Sequence, residues 1–133
     1  MIYLYNTLSN TIEEFKEIEE KKVRIYCCGP TVYDYPHIGN LRTFCNVDFL
    51  VRTFEYFQYK VTYIMNITDV DDKIIKNIKE KNMSLREYTE IYEKAFLESI
   101  EKLNIRKADY YPRATEHINE MVEIIKILLN KGI

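Results

Sequence analysis

Apolar side chains recur along the chain at two spacings, which predict short strands and longer helices. Three runs of strand length are Ile2 to Asn6, Val23 to Cys27 and Val61 to Asn66, the last of them β-branched and aromatic. Leu41 to Phe57 is rich in Leu, Phe and Val with few charges, and predicts a helix largely covered by packing. Two apolar strands joined through a helix form a βαβ unit. We therefore expect a parallel sheet with a right-handed crossover.

The second half of the chain predicts three helices. Thr68 is expected to cap the first, because an acidic residue follows three positions later. The apolar stripe of this helix comprises Ile74, Ile75 and Ile78. Ser84 and Glu87 form a capping box for the second helix. Its apolar positions at helical spacing are Tyr88, Ile91, Tyr92, Phe96, Ile100 and Leu103.

The third of these helices is expected to begin near Thr115 and to end before Gly132, which suits the C′ position. Its apolar positions are Ile118, Met121, Val122, Ile125, Leu128 and Leu129. We expect the helices after Thr68 to leave part of their apolar stripes uncovered.

Length and composition restrict the class of protein. The chain has 133 residues, of which 47% are hydrophobic, enough for one domain with a buried core. Its formal net charge of −2 argues against a basic nucleic-acid coat. No apolar run approaches the ~20 residues that span a bilayer, so we expect no membrane partner. Three cysteines, two of them adjacent, make a poor disulfide framework, and we expect a cytoplasmic location.

The connection between the second strand and the first helix carries the candidate chemistry. His37 and Asn40 lie three positions apart in the first helical turn, so both side chains can face one anion at the helix N-terminus. Gly39 removes a Cβ where a ligand would approach closely. Alternatively, His37 caps the helix and Gly39 only permits tight strand–helix packing. The position directly after an apolar strand favours the anion site.

A candidate metal ligand precedes this turn. Strand alternation places Cys27 and Cys28 on opposite sides, so at most one thiol faces a site beside the loop. Cys28 directly precedes Gly29 and Pro30, where the strand ends, and is the better candidate. Free cysteine is also a common buried hydrophobe. One thiolate does not make a zinc site, which needs four ligands or three plus substrate.

Other residues with metal-binding chemistry have simpler explanations. His117 is expected at the start of a helix, and Cys45 is expected in the core. The aspartates after the third strand lack the glycine and distal glutamate of a calcium loop. Compensation of the helix dipole accounts for at least Asp71 and Asp72.

Four ordered blocks extend over nearly the whole chain: Leu4 to Leu8, Cys28 to Gly39, Asn66 to Ile75 and Pro112 to Ile118. Together they resemble cysteinyl-tRNA synthetases, a family of class I aminoacyl-tRNA synthetases. The resemblance implies an α/β fold, the first part of a Rossmann-like parallel-sheet nucleotide-binding domain followed by helices. Residues 1–133 would be the N-terminal portion of a catalytic domain that is longer in the family. Asn40 stands where the family's His-Ile-Gly-His motif ends in histidine, and an amide can donate a hydrogen bond but carries no charge.

The resemblance also implies an activity: ATP, bound with magnesium, and cysteine form cysteinyl-adenylate, and the cysteinyl group then passes to tRNA. By match to the family, the residues at ATP are Pro36, His37, Gly39 and Asn40, of which His37 and Asn40 are catalytic. Those at cysteine are Gly29, Thr31 and Thr68, and the zinc ligand is Cys28. Because the cysteine carboxylate is the nucleophile, the protein would act by positioning and electrostatic stabilisation. Zinc would separate thiol from hydroxyl, since soft sulfur suits it.

Two other functions stay open. A cysteine-activating ligase of the same fold, acting on a small amino-sugar acceptor as in mycothiol synthesis, would share these blocks and lack an anticodon domain. A non-catalytic nucleotide-binding fragment is the third possibility, because the family's KMSKS loop, other zinc ligands and anticodon-binding region would follow Ile133. We therefore expect the 133 residues alone to be inactive in tRNA charging and unable to hold four-coordinate zinc. The length of the downstream reading frame separates the alternatives.

Overall fold

The computed structural model describes all 133 residues and contains two small sheets and four α-helices. β1 (Tyr3–Asn6) and β2 (Thr11–Glu14) form an antiparallel hairpin. β3 (Lys22–Cys27) and β4 (Lys60–Met65) pair in parallel, and α1 (Ile38–Tyr56) connects them along the chain. The predicted βαβ unit and the α/β class are confirmed. The sequence pattern misses β2, because every residue of that strand is exposed and no alternation marks it.

A third extended segment, residues 109–114, lies beside β4 and runs in the same direction. The amides of Met65 and Ile67 donate to the carbonyls of Tyr110 and Pro112, at 3.1 and 2.8 Å. Parallel bridges join the same two stretches. The proline has no N–H to donate, so the pairing is interrupted rather than a continuous ladder. The parallel sheet therefore extends by one segment beyond its two regular strands.

The core lies where the parallel sheet packs against α1 and α3 (Leu85–Lys102). Its fully buried side chains include Val51, Tyr63, Met65, Phe96 and Ile100. Burial of each such side chain is worth about 1.5–3 kcal/mol, so this layer dominates the stability. Only three of the 19 residues of α1 are buried, and Phe49 is 76% exposed. The expectation that α1 is largely covered is wrong, because a sheet this narrow contacts one side of it.

The start of α2 (Asp72–Lys81) differs from the prediction. Asp71, not Thr68, is the N-cap, and its carboxylate accepts a bond from the Lys73 amide at 2.9 Å. Thr68 is still extended and forms a parallel bridge with Thr31. Pairing between the loops after β3 and β4 therefore delays the helix by three residues. At α3, by contrast, the predicted capping box of Ser84 and Glu87 is present.

The last helix, α4 (Ile118–Asn130), follows a 3-10 turn over Ala114–His117. Gly132 has φ +75°, and its amide and that of Ile133 donate to the last-turn carbonyls at 3.1 Å each, so the predicted C′ glycine is confirmed. No residue of α4 is buried. Its predicted stripe residues are between 40% and 68% exposed, as expected of an uncovered stripe. None of the helices combines the length and apolarity needed to cross a membrane.

Candidate functional site

A cavity of about 330 Å3 opens at the carboxyl end of the parallel sheet, between the loop after β3 and helices α1 and α3. Ligands of open α/β sheets bind at this end, because the loops there converge on helix N-termini. Six of the predicted site residues line the cavity: Cys28, Gly29, Thr31, Pro36, His37 and Asn40. Gly39 and Thr68 do not line it.

The N-terminus of α1 is closed by a reciprocal capping box. The amide of Gly39 donates to Nδ1 of His37 at 3.1 Å, and the amide of His37 donates to Oδ1 of Asn40 at 3.2 Å. Because Nδ1 is an acceptor here, the neutral imidazole carries its proton on Nε2. Because Oδ1 is occupied, Asn40 offers its Nδ2 hydrogens. Capping and anion binding are thus compatible, since the capping bonds use the acceptor atoms and leave the donors free.

The electrostatics of this turn also suit an anion. The first turn of the 19-residue helix α1 contains no acidic residue, and the one carboxylate in the cavity lining is that of Asp34 in the preceding loop. The helix begins at Ile38, three residues earlier than the periodicity predicts, which places the capping box inside the motif. Two side-chain donors and a helix N-terminus therefore meet at one wall of the cavity.

The absence of a side chain at Gly39 has a local structural consequence. A Cβ at this position would lie 2.9 Å from Cε1 and 3.0 Å from Nδ1 of His37. The missing side chain makes room for the capping imidazole, which packs over the glycine. Gly39 therefore supports the capping geometry of His37, and its contact with a ligand stays a prediction.

The two adjacent cysteines lie on opposite sides of the chain, as alternation predicts. Cys27 is 7% exposed, and burial raises the pKa of its thiol. Cys28 is exposed and follows the last residue of β3. Cys45 is also exposed, so its predicted core position is wrong. Phe44 beside it takes the buried position on α1.

This difference predicts selective alkylation. Iodoacetamide at mildly alkaline pH should modify Cys28 and Cys45 at least about tenfold faster than Cys27, because the thiolate is the nucleophile and burial disfavours it. A time course of peptide masses measures the three rates. Equal rates at Cys27 and Cys28 would contradict the burial seen here.

Aromatic side chains from α1, α3 and the loop before α1 form another wall. Tyr35 and Tyr92 meet edge to face at 5.2 Å, and Phe44 and Phe96 do so at 4.9 Å. Lys81 donates to the Tyr92 hydroxyl at 3.2 Å, a bond that raises the pKa of the lysine. Helical spacing places Tyr92 and Phe96 on one stripe, but only the packing of α3 over the loop brings them to the cavity.

The loops after β3 and β4 are joined by main-chain bonds. The amide of Thr68 donates to the carbonyl of Pro30 at 3.0 Å, and the amide of Val32 donates to the carbonyl of Thr68 at 3.1 Å. Thr68 is half-buried behind this junction, whereas Thr31 faces the cavity. The structure thus brings both predicted threonines together but exposes only one to the cavity.

A buried polar cluster lies beyond this junction. Asp69 is 5% exposed and accepts bonds from the amide and hydroxyl of Thr115. Arg113 donates twice to Glu93, at 2.9 and 2.7 Å, and this pairing raises the pKa of the guanidinium. These bonds attach the 3-10 turn to the end of β4 and to α3. His117 ends that turn exposed, without a side-chain capping bond, as a helix-terminal residue.

The residues of this chain do not assemble a metal centre by themselves. No three side chains of the histidine, cysteine, aspartate and glutamate types lie close enough together to hold an ion. Cys28 is exposed and is the one cysteine that lines the cavity. Its thiol is suited to be one ligand of a metal ion that other donors also bind.

Comparison with known proteins identifies the family of this chain. The family model described as the class I (C) tRNA synthetase catalytic domain matches residues 14–133. Cysteine–tRNA ligases from Methanosarcina mazei and Chlamydia pneumoniae are 49% and 51% identical over 133 and 132 residues. The Pyrococcus furiosus ligase is 47% identical over 132 residues. The chain spans only 28% of the length of each of these relatives, although 99–100% of the chain is aligned. Since the family model covers most of its residues, the chain belongs to the class I tRNA synthetase family of the cysteine type, through its catalytic domain.

Proposed function

We propose that the protein carrying this chain is a cytoplasmic cysteine–tRNA ligase that uses ATP and magnesium to activate cysteine. One observation carries the proposal: the capping box of His37 and Asn40 leaves donor atoms unused at a cavity that Cys28 also lines. A phosphate group and a thiol-bearing substrate could therefore be bound side by side. The family membership and the ligase names of the relatives support the same reaction.

In the first step, a carboxylate oxygen of cysteine attacks the α-phosphorus of ATP, and the bond to the β-bridging oxygen breaks. Pyrophosphate leaves with that electron pair, and cysteinyl-adenylate remains. A ribose hydroxyl at the 3′ end of tRNA then attacks the activated carbonyl, and AMP leaves. His37 Nε2 and Asn40 Nδ2 would donate to phosphate oxygens as charge develops there, with the α1 N-terminus behind them. Neither residue needs to exchange a proton in this role.

Cys28 would supply one zinc ligand, with the remaining donors outside these 133 residues. Bound zinc would favour a substrate thiolate over a hydroxyl, because soft sulfur is the better ligand. The exposure of the Cys28 thiol at the cavity supports this part for it. Gly29 and Thr31 would then contact the amino-acid part of the substrate from the same loop.

The test of the phosphate role is His37→Ala in the protein at the length of its relatives. We expect cysteine-dependent pyrophosphate exchange to slow, because the variant loses about 2–4 kcal/mol of transition-state stabilisation, a value typical of one preorganised donor. The apparent constant for cysteine should change much less. Removal of the N-cap should also lower the free energy of unfolding by about 1 kcal/mol.

The matched control is His37→Asn, because asparagine is a good N-cap but lacks the Nε2 donor. Its melting temperature should stay close to that of the unsubstituted protein, while its exchange rate stays as low as that of His37→Ala. Recovery of the rate in the asparagine variant would show that His37 acts only as a cap.

A further inference from the structure

One side chain bonds to both strand ends beneath the cavity. Asn66 follows β4 and is half-buried. Its Oδ1 accepts bonds from the amide of Gly29 and the hydroxyl of Tyr26, both at 2.9 Å. Its Nδ2 donates to Oγ1 of Thr68 at 3.1 Å. Asn66 therefore links the residue after Cys28 with the loop that pairs with Thr31.

The orientation of this amide is determined by its partners. The Gly29 N–H can only donate, so the oxygen of Asn66 must face it. The nitrogen must then face Thr68, whose hydroxyl oxygen accepts. Once that oxygen accepts from Asn66, the hydroxyl hydrogen of Thr68 remains available for another acceptor, and it makes no other side-chain bond in the chain. The Asn66 side chain therefore determines that the Thr68 hydroxyl oxygen is the acceptor in their hydrogen bond.

The main chain leaves no room for an alternative arrangement. A Cβ at Gly29 would lie only 1.7 Å from the carbonyl oxygen of Asn66, so the two strand ends are in direct contact. The Gly29 amide is already bonded to Asn66 and is not free for a substrate. The position of the Cys28 thiol relative to the second loop therefore depends on this contact.

We propose that Asn66 is a positioning residue for the amino-acid half of the cavity, acting through Gly29, which lines it. The inference rests on the proposed function for its kinetic consequence. Asn66 holds Gly29, and with it the Cys28 strand end, against the loop after β4, where the half-buried Thr68 takes its other bond. It does not itself touch the substrate.

The experiment compares Asn66→Ala, which removes the acceptor of the Gly29 amide, with the nearly isosteric Asn66→Asp. The carboxylate of the aspartate can still accept from Gly29 and Tyr26, and the Thr68 hydroxyl can turn to donate to it. In pyrophosphate exchange by the protein at the length of its relatives, we expect the KM for cysteine to rise about 10- to 100-fold in Asn66→Ala and to change less than about threefold in Asn66→Asp. The KM for ATP should change less than about twofold, because the His37 turn is untouched.

Rescue by the aspartate separates positioning from a general structural effect. Asn66→Asp keeps the acceptor of the Gly29 amide, so its kcat/KM for cysteine should stay close to that of the unsubstituted protein. An equal loss in Asn66→Ala and Asn66→Asp would overturn the proposal. So would a lowered melting temperature with unchanged KM values. Asn130→Asp adds the same charge at an exposed helix end, and Tyr26→Phe removes one bond from Asn66 without affecting Thr68; both should leave the KM for cysteine near its original value.

A second measurement needs no activity. In the 133-residue chain, amide hydrogen exchange at Gly29 should be about 10- to 100-fold faster in Asn66→Ala than in the unsubstituted chain, and nearly unchanged in Asn66→Asp. If the unsubstituted long protein shows no cysteine-dependent exchange, the proposed function fails, and the Gly29 result alone decides whether Asn66 holds this junction. Unchanged Gly29 exchange in Asn66→Ala overturns the positioning role.

Discussion

Cys28→Ser is expected to abolish zinc binding and cysteine-dependent pyrophosphate exchange together in the protein at the length of its relatives. A neutral hydroxyl is a poor substitute for a thiolate ligand, so the loss should exceed about 100-fold in exchange rate. Metal analysis of the purified variant and the exchange assay measure the two effects. The fold should remain, because Cys28 is exposed and lies beyond the end of β3.

The matched control is Cys45→Ser, an exposed thiol on α1 that does not line the cavity. It should keep both zinc content and exchange rate. Unchanged zinc in Cys28→Ser would show that Cys28 is not a ligand and would remove this part of the proposal. The isolated 133-residue chain provides a further check, since it should bind no stoichiometric zinc through its own side chains.

Gly29→Ala should be the most destabilising glycine substitution in the chain. The new methyl group would lie 1.7 Å from the Asn66 carbonyl oxygen and 2.9 Å from a side-chain carbon of Met65, and the first of these neighbours is backbone that cannot rotate away. We expect a loss of about 3 kcal/mol or more in the free energy of unfolding, because the strand ends must separate. Urea unfolding of the 133-residue chain measures it.

Gly39→Ala is the comparison. Its new methyl group would meet only the ring of His37, at 2.9 Å, which equals the distance to Met65 at Gly29. The ring can shift, and alanine favours the helix by about 1 kcal/mol, so stability should change little. Pyrophosphate exchange should nevertheless fall, since the displaced imidazole loses its geometry. Equal destabilisation by the two alanines would contradict the contact between the strand ends.

Local signals in the sequence were sufficient for several elements. The capping box of Ser84 and Glu87 and the C′ glycine at Gly132 depend on atoms within one helical turn, so neighbouring residue types determine them. The opposite orientation of Cys27 and Cys28 follows from strand alternation alone. The resemblance of ordered blocks identified the family, which the match over residues 14–133 confirms.

Local signals failed where distant segments compete with them. Thr68 satisfies the pattern of an N-cap, but its pairing with Thr31 keeps it extended, and Asp71 caps α2 instead. Cys45 satisfies an apolar helix pattern, yet the narrow sheet reaches only one side of α1. In both cases a tertiary contact outweighs a local preference of about 1 kcal/mol.

The sequence by itself determined the βαβ order, the chemistry of the turn at His37 and the thiol at the end of β3. Only the tertiary structure decided that these groups share one cavity with the aromatic wall of Tyr92 and Phe96. It also decided that Asn66 joins the two strand ends, because its partners at Gly29 and Tyr26 are 37 and 40 residues away. Hydrogen-bond direction and close backbone approach depend on atoms that folding brings together. They therefore cannot be read from the spacing of residues along the sequence.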